Sequence, residues 1–378
     1  MNLLLLCHYG LYQDLSTSFV HAQAKAYVAL GHRVRVIVPI AYGKPAPNGK
    51  RLFPNLTTQT ADGVELYYVR YFSLSVRGEK NWNVNRAVGT VLRHLKEITH
   101  CFTPNVVHAH TLGFDSRVGA AISSRLGCRL VVTSHGSDAS LPYEKGELAA
   151  LRKWCDQADR VVAVSSALAE KIRKSGTQTP IEVILNGFRT EHLLSPQEKE
   201  PYTFVQVGHL ISQKRVDVTI RAFAKIVQSH PDARLTIIGH GSQREALEQL
   251  CQACGVAHKV TFTGQIPNAQ VLEHLSRSQF FIMPSVREGF GIVYIEAMAC
   301  GCITVGTKGE GIADVIRHGE NGFLVTPDAP EEIVLIAQDC LEHPSVAARI
   351  AMVGQQEARS LTWEVNVEQY IRLFEQIR

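Results

Sequence analysis

The feature that most constrains the fold of this chain is a rhythm. Short apolar runs bounded by Gly, Pro or polar residues alternate with stretches at helical spacing, the βαβ pattern of parallel sheets covered by helices. The runs fall into two sets. NLLLLCH, RVRVIVP, VVHAH, RLVVTSH, RVVAVS and IEVILNG read as strands of one sheet, and YTFVQVG, RLTIIG, KVTFTG, FFIMPS and CITVGT as strands of a second. With 378 residues, 45% of them hydrophobic, the chain is too long for one ordinary core and apolar enough for two. The polar stretch GFRTEHLLSPQEKEPY separates the sets and reads as the linker. The expectation is α/β: Rossmann-like domains over residues 1–194 and 195–360, then an amphipathic helix over 361–378. Trp363, Val367, Tyr370, Ile371 and Phe374 give that helix an apolar face, which can pack on either domain, a return to the first included. Ligands of such sheets gather at the carboxyl ends of the strands, so two sheets facing one another would make a deep cleft.

Composition narrows the setting. Nine scattered cysteines and a start, MNLLLLCHYG, that lacks a basic leader read as a reducing cytosol. No run approaches the ~18 apolar residues of a membrane span. Residues 1–190 hold 23 Lys and Arg against 13 Asp and Glu, +10, and the remainder 16 against 22, −6. The basic front half suits an anionic partner, a phosphate-bearing membrane face as readily as nucleic acid, or simply a solvated surface. In VRGEKNWNVNRAVGTVLRHLKEITH, Arg77, Lys80, Arg86, Arg93 and Lys96 surround Trp82. Such a group can seat a protein on lipid headgroups; a Trp packed inward is the ordinary alternative.

The stretch PSVREGFGIVYIEAMACGC, residues 284–302, carries the chemistry. FFIMP fits a buried strand ending at Pro284, and IVYIEAMA a short helix stopped by Gly301. The start of that helix offers unpaired N–H groups and the positive end of its dipole to an anion, and Gly289 and Gly291 leave room for it. Glu288 precedes the helix, and Glu296, one turn inside, leans back toward its mouth. Carboxylates only accept hydrogen bonds, so they suit a ligand that brings hydroxyls beside its phosphates. A nucleotide sugar is such a ligand. The bland alternative is a loop glutamate and a solvated helix face.

EGFGIVYIE is similar to the Glu-x7-Glu signature of the family-4 glycosyltransferases, retaining enzymes with the two-domain GT-B fold. VVHAHT, VVTSHGSD, ADRVVAVS, VILNGF, VGHLISQK, LTIIGHG, VTFTGQI and GENGFLV resemble further segments of that family in its order, over nearly the whole chain. The resemblance implies that Glu288 binds the transferred sugar, that the amides of Gly289, Phe290, Gly291 and Ile292 hold sugar or diphosphate, and that Glu296 binds the ribose. It places Lys214 on the diphosphate, after the turn at Gly208. His209 stands where relatives usually carry Arg, which puts the strength of that clamp in question because imidazole lacks the guanidinium fork. The base is expected near Gly239 to Gly241 and around Ile266, and His135 at the donor sugar or reacting centre. Ser16, Ser18, His110 and Asp138 are assigned to the acceptor side, Asp138 with a helix cap as its rival role. Two further departures stand out: the first loop lacks the family's Gly-Gly, and Glu310 and Asp314 occupy places in KGEGIADVI where relatives tend toward Gly-Gly-x-x-Glu.

No Asp-x-Asp occurs, so no metal and no cofactor are expected, although His108 and His110 share a strand face. The pairs Cys251/Cys254 and Cys300/Cys302 could in principle hold zinc, but small buried residues explain them better. The expected function is retaining, metal-independent transfer of a hexose from a UDP- or GDP-sugar to a hydroxyl of a lipid-linked glycan or surface polysaccharide, capsular or teichuronic-acid-type enzymes being the nearest in character. The place is the cytoplasm or the inner face of the plasma membrane; nucleic acid is not an expected partner. Three other readings compete: an NAD-dependent Rossmann enzyme, supported only by GHGSQR; an epimerase or phosphorylase on the same fold; and an inactive sugar-binding module.

Overall fold

The structure, a computed structural model, describes residues 1–8, 15, 18–42, 55–73, 81–191, 193 and 197–377. Ser16, Arg77, Lys80 and the side chain of Trp82 lie outside that set. The chain divides into two compact units: residues 1–187 together with 363–378, and residues 188–362.

Among the described residues the first unit holds strands β1 (Asn2–Leu6), β2 (Arg33–Tyr42), β3 (Leu56–Ala61), β4 (Val64–Phe72), β5 (Val106–Ala109), β6 (Arg129–Ser134), β7 (Arg160–Ala163) and β8 (Ile181–Val183) in one sheet, ordered β3-β4-β2-β1-β5-β6-β7-β8. All pair in parallel except β3 with β4. The central β1 is covered on both faces, which is why its four leucines run without polar alternation and are fully buried. The hairpin β3–β4 was absent from the expected strands. Its turn, Asp62–Gly63, has both φ values positive, as a tight two-residue hairpin requires, and β3 (LTTQTA) is an exposed edge with no apolar run to reveal it. Helices α1 (Phe19–Ala29), α2 (Asn81–Ile98), α3 (Phe114–Leu126), α4 (Ser137–Glu144), α5 (Leu148–Cys155) and α6 (Ser166–Arg173) connect the strands.

The second unit repeats the plan with a sheet ordered β11-β10-β9-β12-β13-β14, parallel throughout. Its strands are β9 (Glu200–Val207), β10 (Arg234–Ile238), β11 (Val260–Gly264), β12 (Ser278–Ile282), β13 (Ile303–Thr307) and β14 (Phe323–Val325). The three-residue β14 is too short to be read from its sequence. Helices α7 (Val216–Ser229), α8 (Arg244–Ala253), α9 (Asn268–Arg277), α10 (Ile292–Ala299), α11 (Pro330–Glu342) and α12 (Pro344–Ala358) complete it. One core gathers Phe204 and Phe280, stacked at 4.7 Å, with Phe223, Ile237, Ile282, Val305 and Ile333.

The final helix, α13 (Trp363–Gln376), returns to the first unit and packs on α1. Its apolar face explains the burial of Val367, Tyr370 and Phe374. Polar contacts fix its register: Gln23 Nε2 donates to Asn366 Oδ1 at 2.7 Å, Asn366 Nδ2 donates to the Leu185 carbonyl at 2.7 Å, and the Tyr370 hydroxyl meets Thr133 Oγ1 at 2.8 Å. Among the described residues no helix is long and apolar enough to cross a membrane.

Candidate active site

In the second unit the carboxyl ends of three neighbouring strands are locked backbone to backbone. The Gly208 N–H donates to the Ile238 carbonyl at 2.9 Å, Leu210 N–H to His240 at 2.8 Å, and Gly239 N–H to Gly264 at 2.9 Å. A Cβ on Gly239 would lie 1.9 Å from the Gly208 oxygen, so the turn admits only glycine. That packing accounts for the glycine in GHGSQR without a dinucleotide. His209 is exposed beside His240, ring centroids 5.0 Å apart, and Ile266 lies half-buried just past β11.

Lys214 ends a short 3-10 turn, Ser212–Lys214, whose tightness brings the side chain back along Gly208. Its ammonium forms a direct salt bridge with Glu288, both side chains being at least four-fifths buried. Ser285 Oγ donates to the same Glu288 oxygen at 3.3 Å. The two loops are tied together as well: Val286 N–H donates to the Gln213 carbonyl at 2.8 Å.

Beyond Glu288 the chain turns at Gly291, φ 78°, into α10. Phe290 is buried and anchors the turn. Among the described residues no acceptor meets the amides of Gly289, Phe290, Gly291 or Ile292, which leaves a row of donors at a helix start. Glu296 follows in α10, partly buried. Desolvation raises its pKa from the ordinary glutamate value, opposed by the Asn268 amide, 3.5 Å away, and by Arg189. A carboxylate beside a row of N–H groups can accept hydroxyls, and Lys214 can take developing negative charge.

In the sequence Glu310 stands out only as a departure from the family pattern. Its two carboxylate oxygens accept from the backbone N–H of Arg287 and of Glu288, each at 2.9 Å.

In the first unit the residues after β5 and β6 come together. His110 Nδ1 lies 3.3 Å from His135 Nε2 with the rings stacked, and His108, behind them, meets Thr133 Oγ1 at 2.8 Å. Burial, with neighbouring imidazoles as a secondary cause, pushes the pKa of His108 and His135 down to about 3 and that of His110 well below its ordinary value. All three are therefore neutral at pH 7, each with one donor and one acceptor nitrogen. Asp138 accepts from the N–H groups of Leu112, His135 and Gly136 at 2.9, 3.1 and 2.9 Å, binding the β5–α3 loop to the β6–α4 loop. Ser18 caps α1, its Oγ accepting from His21 N–H at 3.2 Å.

A pair that the sequence did not reveal adjoins this cluster. His8 Nδ1 lies 3.0 Å from Asp115 Oδ2, which also accepts from Thr111 Oγ1 at 2.8 Å, and Asp115 is fully buried. The cysteine pairs serve packing: Cys302 Sγ meets the carbonyls of Leu275 and Ser278 at 3.0 and 3.4 Å. Among the described residues no group of three or more His, Cys, Asp or Glu is placed to hold a metal ion.

Comparison with known proteins gives this geometry a family. Glycosyltransferase Family 4 matches residues 16–192, and Glycosyl transferases group 1 matches residues 189–357. An uncharacterized glycosyltransferase of Methanocaldococcus jannaschii is 36% identical over 191 residues, 46% of this chain and 48% of the relative. A GDP-mannose-dependent alpha-(1-6)-phosphatidylinositol monomannoside mannosyltransferase of Mycolicibacterium smegmatis is 28% identical over 254 residues, 62% and 66% of the two chains. The chain thus spans about half the length of the first relative and about two thirds of the second. Anabaena HepE, solved in complex with UDP and glucose, superposes with a TM-score of 0.75 at 21% identity over 100% of both chains, a likeness of GT-B fold. The two family matches overlap at residues 189–192 and together run from residue 16 to residue 357, and so the chain belongs to the family-4 glycosyltransferases.

Proposed function

We propose that the chain transfers a hexosyl group, with retention of configuration and without a metal, from a UDP- or GDP-sugar to a hydroxyl of a lipid-linked glycan or cell-surface polysaccharide. The observation that carries this reading is the Lys214–Glu288 salt bridge beside the amides of Gly289–Ile292, which meet no acceptor among the described residues. Cation, carboxylate and N–H row are what a sugar diphosphate needs: charge for the leaving group, acceptors for hydroxyls, donors for oxygens. The M. smegmatis relative's dependence on GDP-mannose and HepE's complex with UDP support the two donor classes.

In this reading the bond between the sugar's anomeric carbon and the diphosphate oxygen breaks, and the acceptor oxygen bonds to that carbon on the same face. The acceptor's proton passes to the departing phosphate, so no protein nucleophile is required. Lys214 and the amino end of α10 stabilise the negative charge as it develops. Glu288 holds the transferred sugar, Glu296 the ribose, and neutral His135, backed by His110, offers a hydrogen bond to the sugar or reacting centre. Gly208, His209, Gly239 and Ile266 border the nucleotide. Ser18, Asp138 and His110 belong to the acceptor side, as does Ser16, outside the described residues. The enzyme works in the cytoplasm, at a membrane face that its basic first half favours.

A thermal-shift panel of UDP, GDP, ADP, NAD, UDP-glucose and GDP-mannose, with and without EDTA, tests this on the wild type, Lys214→Ala and Glu296→Ala. A ligand at a hundredfold its dissociation constant adds about 2.7 kcal/mol of stability. One base should shift the wild type regardless of EDTA and lose its effect in Glu296→Ala, and a separate assay of nucleoside diphosphate release from the matching sugar should show turnover about 100-fold lower in Lys214→Ala. A shift with NAD alone, or with nothing, would refute the reading.

A further inference from the structure

We infer that Glu310 is a positioning residue for the donor sugar: its carboxylate fills an anion-binding nest made by the N–H groups of Arg287 and Glu288, and thereby fixes Glu288 toward Lys214. The inference rests on the proposed function. Two successive amides point at the two oxygens of one carboxylate, each 2.9 Å away. Successive N–H groups converge in this way when the backbone alternates hand, and Arg287 has φ 62°, the left-handed region that a side-chain-bearing residue seldom occupies. The neighbouring residue closes the clamp from the other side. Gly311 N–H donates to the Glu288 carbonyl at 3.2 Å, and a Cβ on Gly311 would stand 2.0 Å from the Gly289 oxygen. Both backbone groups of Glu288 are therefore held by the 310–311 segment, while its side chain is held by Lys214 and Ser285.

The consequence is a division of labour along one loop. The amides of 287 and 288 are satisfied from within the protein, whereas those of 289–292, which meet no acceptor among the described residues, can face the donor. A short neutral residue at 310 would leave the first pair open to water or to a phosphate oxygen. Glu310 thus selects which donors face the ligand and sets the angle at which Glu288 meets the sugar.

The test is calorimetric titration of the full chain with UDP, UDP-glucose, GDP and GDP-mannose, comparing the wild type with Glu310→Ala and the isosteric Glu310→Gln. Glu310→Ala should weaken the nucleotide sugar about tenfold while the matching nucleoside diphosphate stays within about twofold, because only the sugar depends on Glu288. Sodium formate, a carboxylate small enough for the emptied nest, should restore nucleotide-sugar affinity in Glu310→Ala, and sodium chloride at equal ionic strength should not. Glu310→Gln, which keeps the volume but sets an amide nitrogen against one N–H, should show the same selective loss with an unchanged melting temperature. Equal losses for diphosphate and sugar without formate rescue would overturn the inference, as would wild-type binding of both. Tighter diphosphate binding by Glu310→Ala would also overturn it, since the nest would then belong to the donor phosphate. A wild type that binds none of the four ligands would overturn the proposed function, and this inference with it.

Discussion

Glu296 stands where an ionised carboxylate is costly, and that cost is measurable. Its pKa is raised chiefly by desolvation. Between the unfolded value, about 4.3, and the raised folded value, the folded state holds more protons than the unfolded one, so stability falls as pH rises through that window. Glu296→Gln should therefore stabilise the ligand-free protein at pH 7, and the gain should vanish below about pH 4, where both states are protonated. Urea unfolding from pH 4 to 8 checks this; a pH-independent gain would point to packing instead. The placement of Glu288 in a loop and of Glu296 in the helix that follows was legible in the sequence because they lie within one strand–loop–helix unit whose geometry is local. Glu310 and the His8–Asp115 pair were not, because their partners are 22 and 107 residues away and only the tertiary fold brings them together.

At the scale of elements, periodicity revealed what each segment is more readily than where it docks. The spacing of Trp363, Val367, Tyr370 and Phe374 requires that α13 bury one face, but says nothing of the partner. What selects the first unit is specific: Asn366 bridges Gln23 and the Leu185 carbonyl, and the Tyr370 hydroxyl joins Thr133. Exposed edge β3 and brief β14 lacked the apolar run that betrays a strand. If α13 is an integral layer of the first unit, Phe374→Ala, at a fully buried ring, should cost about 3–5 kcal/mol. Tyr370→Phe, which leaves Thr133 and His108 to share one fewer partner, should cost about 1–3 kcal/mol. Denaturant unfolding followed by circular dichroism measures both, and losses under about 1 kcal/mol would mean that the helix adds little to the core.

For the whole molecule, charge is the property that the fold does not consume. Residues 1–190 carry +10 and the remainder −6, and α2 shows how that excess is displayed. Val84, Ala87, Val91, Leu95 and Ile98 are buried, which turns Arg86, Arg93 and Lys96 outward. A lipid-linked acceptor would place the enzyme at an anionic headgroup layer, where each basic residue near the surface contributes about 1 kcal/mol. Reversing all three charges should then weaken binding to phosphatidylglycerol-containing vesicles by about 100-fold or more. Raising salt from about 0.05 to about 0.5 M should weaken the wild type in the same sense, since the Debye length shrinks below the size of the patch. Sedimentation with such vesicles, against neutral phosphatidylcholine controls, reads both effects. Equal binding by wild type and triple variant would place the contact elsewhere on the basic half. No binding at low salt would instead favour an acceptor that reaches the enzyme in solution, and the excess of lysine and arginine would then be an ordinary solvated surface.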